Sequence, residues 1–299
     1  MKKKKIALIG SSPIILIIAN HLRKAGHKIT IFDSNKKIGG AWAYYKFRDY
    51  FISTQTNVIV PDTKFEERNI PLINEFLKRN FKTKIKRNVN SFKPLGYLAK
   101  KNYEYNLNSL YEKISQDNKI KFVKKFIKKI IIKNKKVLIN KLLYDEIYVT
   151  TYCGVESLII DNCKINIKPR LIVSQHAMII AKKISRKHLA YSENFDKNFD
   201  RAQIRKIDNY TVFTARVRKE KKGESILNLI MSSKLVKKKS DIVKIVKTKY
   251  KNYYRNFEQR DFLSRNTIGT PIKYVNSALF VESFFSINEK LNLLKRKYI

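Results

Sequence analysis

Acidic residues, cysteine and glycine are all scarce in this chain. Its 24 Asp and Glu are set against 65 Lys and Arg, a formal charge of +41 over 299 residues. Such an excess attracts nucleic acid or an anionic membrane surface. The basic residues run along the whole length, with clusters at Lys2–Lys5, Lys124–Lys136 and Lys237–Lys251. No helix-turn-helix spacing, zinc-finger ligands or RNP-like aromatic box focuses them, so specific nucleic-acid binding is not expected. Polyanion binding through the basic surface stays as an alternative. The two cysteines, Cys153 and Cys163, make neither a disulfide framework nor a metal-ligand pattern, which fits a reducing cytoplasm. His21, His27, His176 and His188 form no ligand set, and no metal is expected. Long apolar runs are missing too: none reaches the roughly 18 residues of a membrane-spanning helix. What remains, 43% hydrophobic and 12% aromatic, describes a globular protein with a chain long enough to bury a large core.

The opening stretch, IALIGSSPIILIIANHLRKAGHKITIFDSNKKIGGAW (residues 6–42), admits two readings. Lys2–Lys5 followed by the apolar 6–19 has the outline of a secretion signal. The turn residues Gly10-Ser11-Ser12-Pro13 interrupt its apolar segment, however, and the periodic pattern runs on past Ala19. The second reading accounts for the whole stretch. Ile6–Ile9 is a continuous apolar run, as in a strand buried on both faces of a parallel sheet. Pro13 suits the first turn of a helix, and Ile14, Ile15, Ile18, Ala19 and Leu22 follow at helical spacing. Gly26 sits in the stop position. Ile29–Phe32 is a second strand, and it ends on Asp33, 23 positions after Gly10. This is a βαβ dinucleotide unit, with the carboxylate placed to hold a ribose hydroxyl.

The stretch resembles the N-terminus of FAD-dependent oxidoreductases of the amine-oxidase and UDP-galactopyranose-mutase type. Those begin with a glycine-rich βαβ unit, end its second strand on an acid, and continue into a Gly-Gly motif, here Lys37-Ile38-Gly39-Gly40-Ala41-Trp42. Three of the chain's 8 glycines occupy these motif positions. The resemblance implies FAD as cofactor, with NAD(P) as the other option, held by Gly10, Ser11, Ser12, Asp33, Gly39, Gly40, Ala41 and Trp42. In the G-x-G-x-x-G frame the second glycine is Ser12 and the third Ile15. The second normally admits the pyrophosphate and the third lets helix and strand pack closely. Ser12 keeps a backbone N–H and adds a hydroxyl, whereas Ile15 is expected to push the helix outward.

Residues 107–153 fit the same pattern. A helix over 107–114 precedes a strand at 120–123. A hairpin follows, from 126–132 and 137–139 around a turn at 133–136. A strand over 144–151 then ends in Tyr152-Cys153-Gly154. By the resemblance Val123 lies near the adenine, and Thr150 to Gly154 near the dinucleotide crevice. Elsewhere the patterning predicts a strand over 56–61, a helix over 69–80 with Pro71 in its first turn, and a strand over 210–217. Helices are expected at 225–231, 240–254 and 288–294. The expected fold is α/β: a Rossmann-like FAD/NAD(P)-binding domain with a parallel sheet and β-meander, plus a discontinuous substrate-side α+β domain. The first is assigned 1–45 and 105–165, completed by 262–299, and the second 46–104 and 166–261. No Gly-Asp signature, which the resembling family uses to finish its flavin site, stands near the end of the sequence.

No catalytic triad, metal cluster or P-loop emerges. His176 is a candidate acid–base group, although such a residue is more often structural. Tyr152 and Cys153 sit at a strand end where sites gather. Trp42 is placed to shield a flavin face or to join the core. Tyr250, Tyr253 and Tyr254 among lysines have the makings of a base-stacking surface; a charged helix with one aromatic face explains them more simply. The expected function is that of an FAD-dependent oxidoreductase or flavin-dependent sugar mutase. Its substrate would be a small molecule, anionic or nucleotide-sugar-like. A member of the same fold that binds without catalysis is the alternative.

Overall fold

A computed structural model describes residues 2–35, 38–39, 43–54, 58–59, 64–81, 86–88, 102–104, 108–150, 153–185, 191–218, 225–266 and 269–275. The chain divides into two compact units. One comprises Met1–Trp42, Asn108–Ile172 and Lys251–Ile299, the other Ala43–Leu107 and Val173–Tyr250. The breaks expected from the sequence were at 45, 104, 165 and 261.

The first unit is organised by a five-stranded parallel sheet in the order Ile272–Val275, Glu146–Thr150, Lys5–Ile9, Lys28–Asp33, Ile120–Lys124. Ile6, Ala7 and Leu8 are fully buried, as a strand covered on both faces requires. The helix Pro13–Lys24 has Pro13 in its first turn, and its residues Pro13 to Asn20 are all buried. His21, Arg23 and Lys24 fill its last turn, where positive charge complements the helix dipole. A second sheet is ordered Leu142–Tyr144, Lys136–Ile139, Lys129–Lys133, Ser157–Ile160, Cys163–Asn166. Its strands alternate, with Ile130, Ile132, Val137 and Ile139 inward and lysines outward. These side chains share one core with Ala7, Ile9, Phe32, Ile147 and Val149 of the parallel sheet. Each fully buried side chain of this kind contributes about 1.5–3 kcal/mol.

Scarce glycine does not prevent tight turns. Two-residue hairpin loops are made by Asn134-Lys135, Asn140-Lys141 and Asp161-Asn162, all at positive φ. Asn and Asp tolerate that conformation through local hydrogen bonding.

The second unit holds a five-stranded sheet ordered Tyr191–Asn194, Phe199–Ile207, Tyr210–Val217, Arg170–Ala181, Ile242–Tyr254. On one face Ala177, Ile179, Phe213 and Ala215 pack with Ile226, Leu229 and Ile230 of the helix Ile226–Ser232. On the other, Met178, Ile180 and Val212 pack with Ile52 and the rings of Tyr45, Phe47 and Tyr50. These four belong to the hairpin of Tyr44–Phe47 and Tyr50–Ser53.

Three sequence expectations need correction. The segment 240–254 is not a helix: Ile242–Tyr254 is a strand, outermost in its sheet. Lys247, Lys249 and Lys251 are exposed along it, and charge of this kind discourages pairing with another chain at a sheet edge. Pro71 is not in a first turn, because its helix runs Lys64–Phe81. The buried face of Ile70, Ile73 and Leu77 carries the helix through the exposed proline. The helix Phe257–Asn266 was not anticipated. Of the strand expected at 56–61 the structure describes Val58–Ile59, and the helix expected at 288–294 lies outside the described residues. Among the described residues no helix is long and apolar enough to cross a membrane.

Candidate functional site

The site begins where the parallel strands end. From Lys5–Ile9 the chain order leads to Lys28–Asp33 on one side and Glu146–Thr150 on the other. Ligands settle at the carboxyl edge of such a sheet, at the switch point. Gly10 follows the first strand at φ +92° and donates its N–H to Phe32 O at 2.8 Å. A Cβ there would stand 3.5 Å from Thr150 Oγ1, an ordinary contact, so backbone conformation rather than space demands the glycine.

Ser11 ties the motif together. Its hydroxyl donates to Asp33 Oδ2 at 2.5 Å and accepts the Gly39 N–H at 2.9 Å. The three pieces read from the sequence, at 10–12, 33 and 39, therefore meet. Asp33 is buried, and its Oδ1 accepts from the backbone and side-chain N–H groups of Asn35 at 2.7 and 2.9 Å. A carboxylate has about four acceptor sites, and these bonds use three.

Ser12 is the N-cap of the following helix, yet its side chain makes no capping bond, and its Oγ is buried without a partner. Leaving a buried hydroxyl unpaired costs about 1–3 kcal/mol. Pro13 removes one N–H from the first turn, while Ile14 and Ile15 retain theirs, and such amides have no partner within a helix. The orphaned hydroxyl, the helix N-terminus and the acid at the second strand's end fit a dinucleotide's pyrophosphate and ribose. Ile15, expected to force the helix outward, is fully buried; its branched side chain is taken up by the core.

Other expected residues fall into three groups. Thr150 is buried beside Gly10, and Val123 is half-buried against the core of the first unit. Gly40, Ala41, Trp42 and Tyr152 lie outside the described residues. His176 belongs to the second unit, where its buried ring lies 5.2 Å from that of Tyr250. Burial, and after it the charges of Arg216 and Arg201, lowers its pKa to about 4. The Tyr250 hydroxyl bonds the Thr54 hydroxyl. Thr54 in turn donates to Ala43 O at 2.8 Å.

Sequence reasoning missed Arg255, which is fully buried in the first unit. Its guanidinium donates to Ile167 O at 3.3 Å, to Cys153 O at 2.8 Å and to Val155 O. It fixes the backbone that leaves the Glu146–Thr150 strand. Gly154 in that segment lies against Phe126: a Cβ would meet the ring at 1.9 Å. Phe126 stacks on Tyr253, with centroids 5.3 Å apart and an interplanar angle of 29°. Burial, and after it the carboxylates of Asp33 and Glu156, pushes the pKa of Tyr253 up. Only the placing of these strands together could have revealed this group.

No family profile matches the chain. A stretch of 43 residues is 42% identical to the flavin-containing monooxygenase FMO GS-OX-like 9 of Arabidopsis thaliana, covering 14% of this chain and 9% of that protein's length. Over 92% of the chain the structure is similar to a double mutant of putrescine oxidase from a redesign of cofactor binding, at TM-score 0.51 and 10% identity, covering 93% of that chain. It is similar over its whole length to a fatty acid isomerase from P. acnes, at TM-score 0.51 and 10% identity, covering 100% of that chain. With its five-stranded parallel sheet and its antiparallel sheets, the chain has the fold of the FAD-dependent amine oxidases.

Proposed function

We propose that this protein binds FAD along the carboxyl edge of its parallel sheet and acts as an FAD-dependent oxidoreductase on a small molecule. The observation that carries this reading is the Ser11–Asp33–Gly39 network, with the Ser12 hydroxyl buried and unpartnered beside it at a helix N-terminus. Ser12 Oγ and the N–H groups of Ile14 and Ile15 would hold the pyrophosphate, where the helix dipole favours negative charge. Asp33 would take a ribose hydroxyl on its remaining acceptor site. Ser11 keeps Asp33 and the Gly39 backbone in register. When bound, the flavin supplies the redox chemistry and the protein supplies position and electrostatics. The putrescine oxidase likeness and the monooxygenase stretch support flavin as the cofactor. The +41 charge favours an anionic substrate, of which a nucleotide sugar is one class.

The test is a visible spectrum of the purified protein, followed by denaturation to release and identify the cofactor. Bands near ~450 nm and released FAD are expected. Replacing Asp33 by Ala should weaken FAD binding by about tenfold to a hundredfold, as for a lost hydrogen bond to a charged group. A colourless protein that takes up no added FAD would sink the proposal.

A further inference from the structure

The second sheet of the first unit has an outer face that the cofactor site does not use. Its inner face is closed by Ile130, Ile132, Val137 and Ile139, all buried in the shared core. Side chains alternate sides along a strand and register partners share a side, so the outward row can be followed from strand to strand. Leu143 is the register partner of Leu138, Leu138 of Ile131, Ile131 of Ile159, and Ile159 of Lys164. The row crosses the whole sheet, from the edge strand Leu142–Tyr144 to the edge strand Cys163–Asn166. All its members but the last are aliphatic. Leu143 is 58% exposed, and Leu138, Ile131 and Ile159 are half-buried.

An antiparallel sheet with one face on the core ordinarily sets polar residues on the other. Here the polar residues form a rim. Lys129 and Lys133 stand two positions either side of Ile131, and Lys136 two positions before Leu138, all exposed. Lys133 and Lys136 are themselves register partners, and like charges directly opposite destabilise a sheet. Asp145 pairs with Lys136, but the lysines of the rim outnumber it.

An apolar row with a cationic rim suits an occupant that is anionic at its surface and apolar beneath. A bilayer of anionic lipid has that profile. Aliphatic side chains enter the boundary between headgroups and acyl chains, while lysine stems lie along the surface and their ammonium groups reach phosphate. A second copy of this chain would set lysine rim against lysine rim. A nucleic acid gains nothing from leucine and isoleucine. A single row of side chains is also far smaller than the ~800 Å² per partner of a stable protein interface, whereas adsorption to a bilayer gathers free energy from each lysine near the surface.

We propose that the outer face of this sheet docks on bilayers containing anionic phospholipid, with Leu143, Leu138, Ile131 and Ile159 entering the interface. The inference is independent of the cofactor reading.

The test is sedimentation of the full chain with vesicles of phosphatidylcholine alone or of phosphatidylcholine and phosphatidylglycerol in equal amounts, with circular dichroism as the folding control. Wild type should bind the mixed vesicles and leave the neutral ones. The +41 charge draws the whole chain toward anions, so the variants decide. The double variant Leu138→Thr/Leu143→Thr keeps strand-forming residues and should weaken binding by about tenfold. Lys133→Gln should weaken it by about fivefold, the share of one lysine near an anionic surface. Leu72→Thr removes a leucine that is 49% exposed on the helix Lys64–Phe81 and should stay within about twofold of wild type. Leu143→Trp should shift its emission to shorter wavelength on the mixed vesicles, once the wild-type signal of Trp42 is subtracted. Equal binding by wild type and the folded double variant overturns the proposal, as does an equal loss in Leu72→Thr. A wild-type chain that stays off the mixed vesicles overturns it too. If that chain instead forms a dimer that the double variant dissolves, the face is a contact between copies and the lipid assignment falls.

Discussion

The two units bury polar side chains in different ways. In the first, Ser11 and Asp33 bond each other, and each polar group near the crevice is also tied to backbone. Ser11 holds the Gly39 N–H, Asp33 accepts from Asn35 N, and Arg255 spans three carbonyls. In the second, the groups around His176 depend largely on one another: Tyr250 bonds Thr54, His176 lies against Tyr250, and Arg216 pairs with Asp200. Backbone partners are supplied by the fold whatever the neighbouring residues are. Such partners stay in place with Ser12 and Ile15 standing where the motif has glycine. A side-chain network depends on each member and on its protonation state.

The largest test of this contrast is Arg255→Ala. It leaves three buried carbonyls without a donor, at about 1–3 kcal/mol each, so urea unfolding should show a loss of at least ~3 kcal/mol. A loss under ~1 kcal/mol would mean that the carbonyls find other partners and that the clamp is dispensable.

Next comes the pH response of His176. Its folded pKa of about 4 lies below the ordinary histidine value of 6.5, chiefly through burial, with Arg216 and Arg201 lowering it further and Asp200 opposing them. Between these values the unfolded chain binds the extra proton, so stability is full above the upper value and is lost as pH falls toward the lower. From pH 7 to pH 4.5 this amounts to about 2–3 kcal/mol. Unfolding of the His176→Gln variant should show a pH dependence shallower by that amount; identical slopes for the two proteins would remove His176 as the acid-sensitive group.

The smallest effect compares two N-cap serines. Ser225 Oγ accepts the Asn228 N–H at 3.1 Å, so Ser225→Ala should lower the stability of the second unit by about 1 kcal/mol. Ser12 makes no such bond. Ser12→Ala removes a buried unpaired hydroxyl, so it should raise the stability of the ligand-free protein, by up to about 1–3 kcal/mol, while weakening FAD binding. Equal melting losses for both variants would contradict the assignment of Ser12 to a ligand.

Much of the first unit was legible because its signals are local. A continuous apolar run, Pro13 at the helix start and Asp33 at a strand end each reflect a backbone rule that operates within a few residues. The strand Ile242–Tyr254 was misread for a physical reason as well. Ile242, Ile245 and Val246 fall at i, i+3 and i+4, the spacing of a helix face, while the β-branched and aromatic residues around them suit a strand. Local pattern alone does not decide between the two, and the sheet partner does. Pro71 shows the same limit: the proline rule is local, but the buried face of Ile70, Ile73 and Leu77 outweighs it.

The sequence by itself determined the βαβ unit, the acid at its second strand and the hairpin around 133–136, because hydrophobic period and turn chemistry act over short stretches. Only the tertiary structure decided that Arg255, among the described basic residues, is fully buried. It brought Phe126 and Tyr253 together beside Asp33 and left Ser12 Oγ without a partner. Those outcomes depend on strands distant in sequence being paired, and the free energy of burying a polar group or stacking two rings exists only after that pairing.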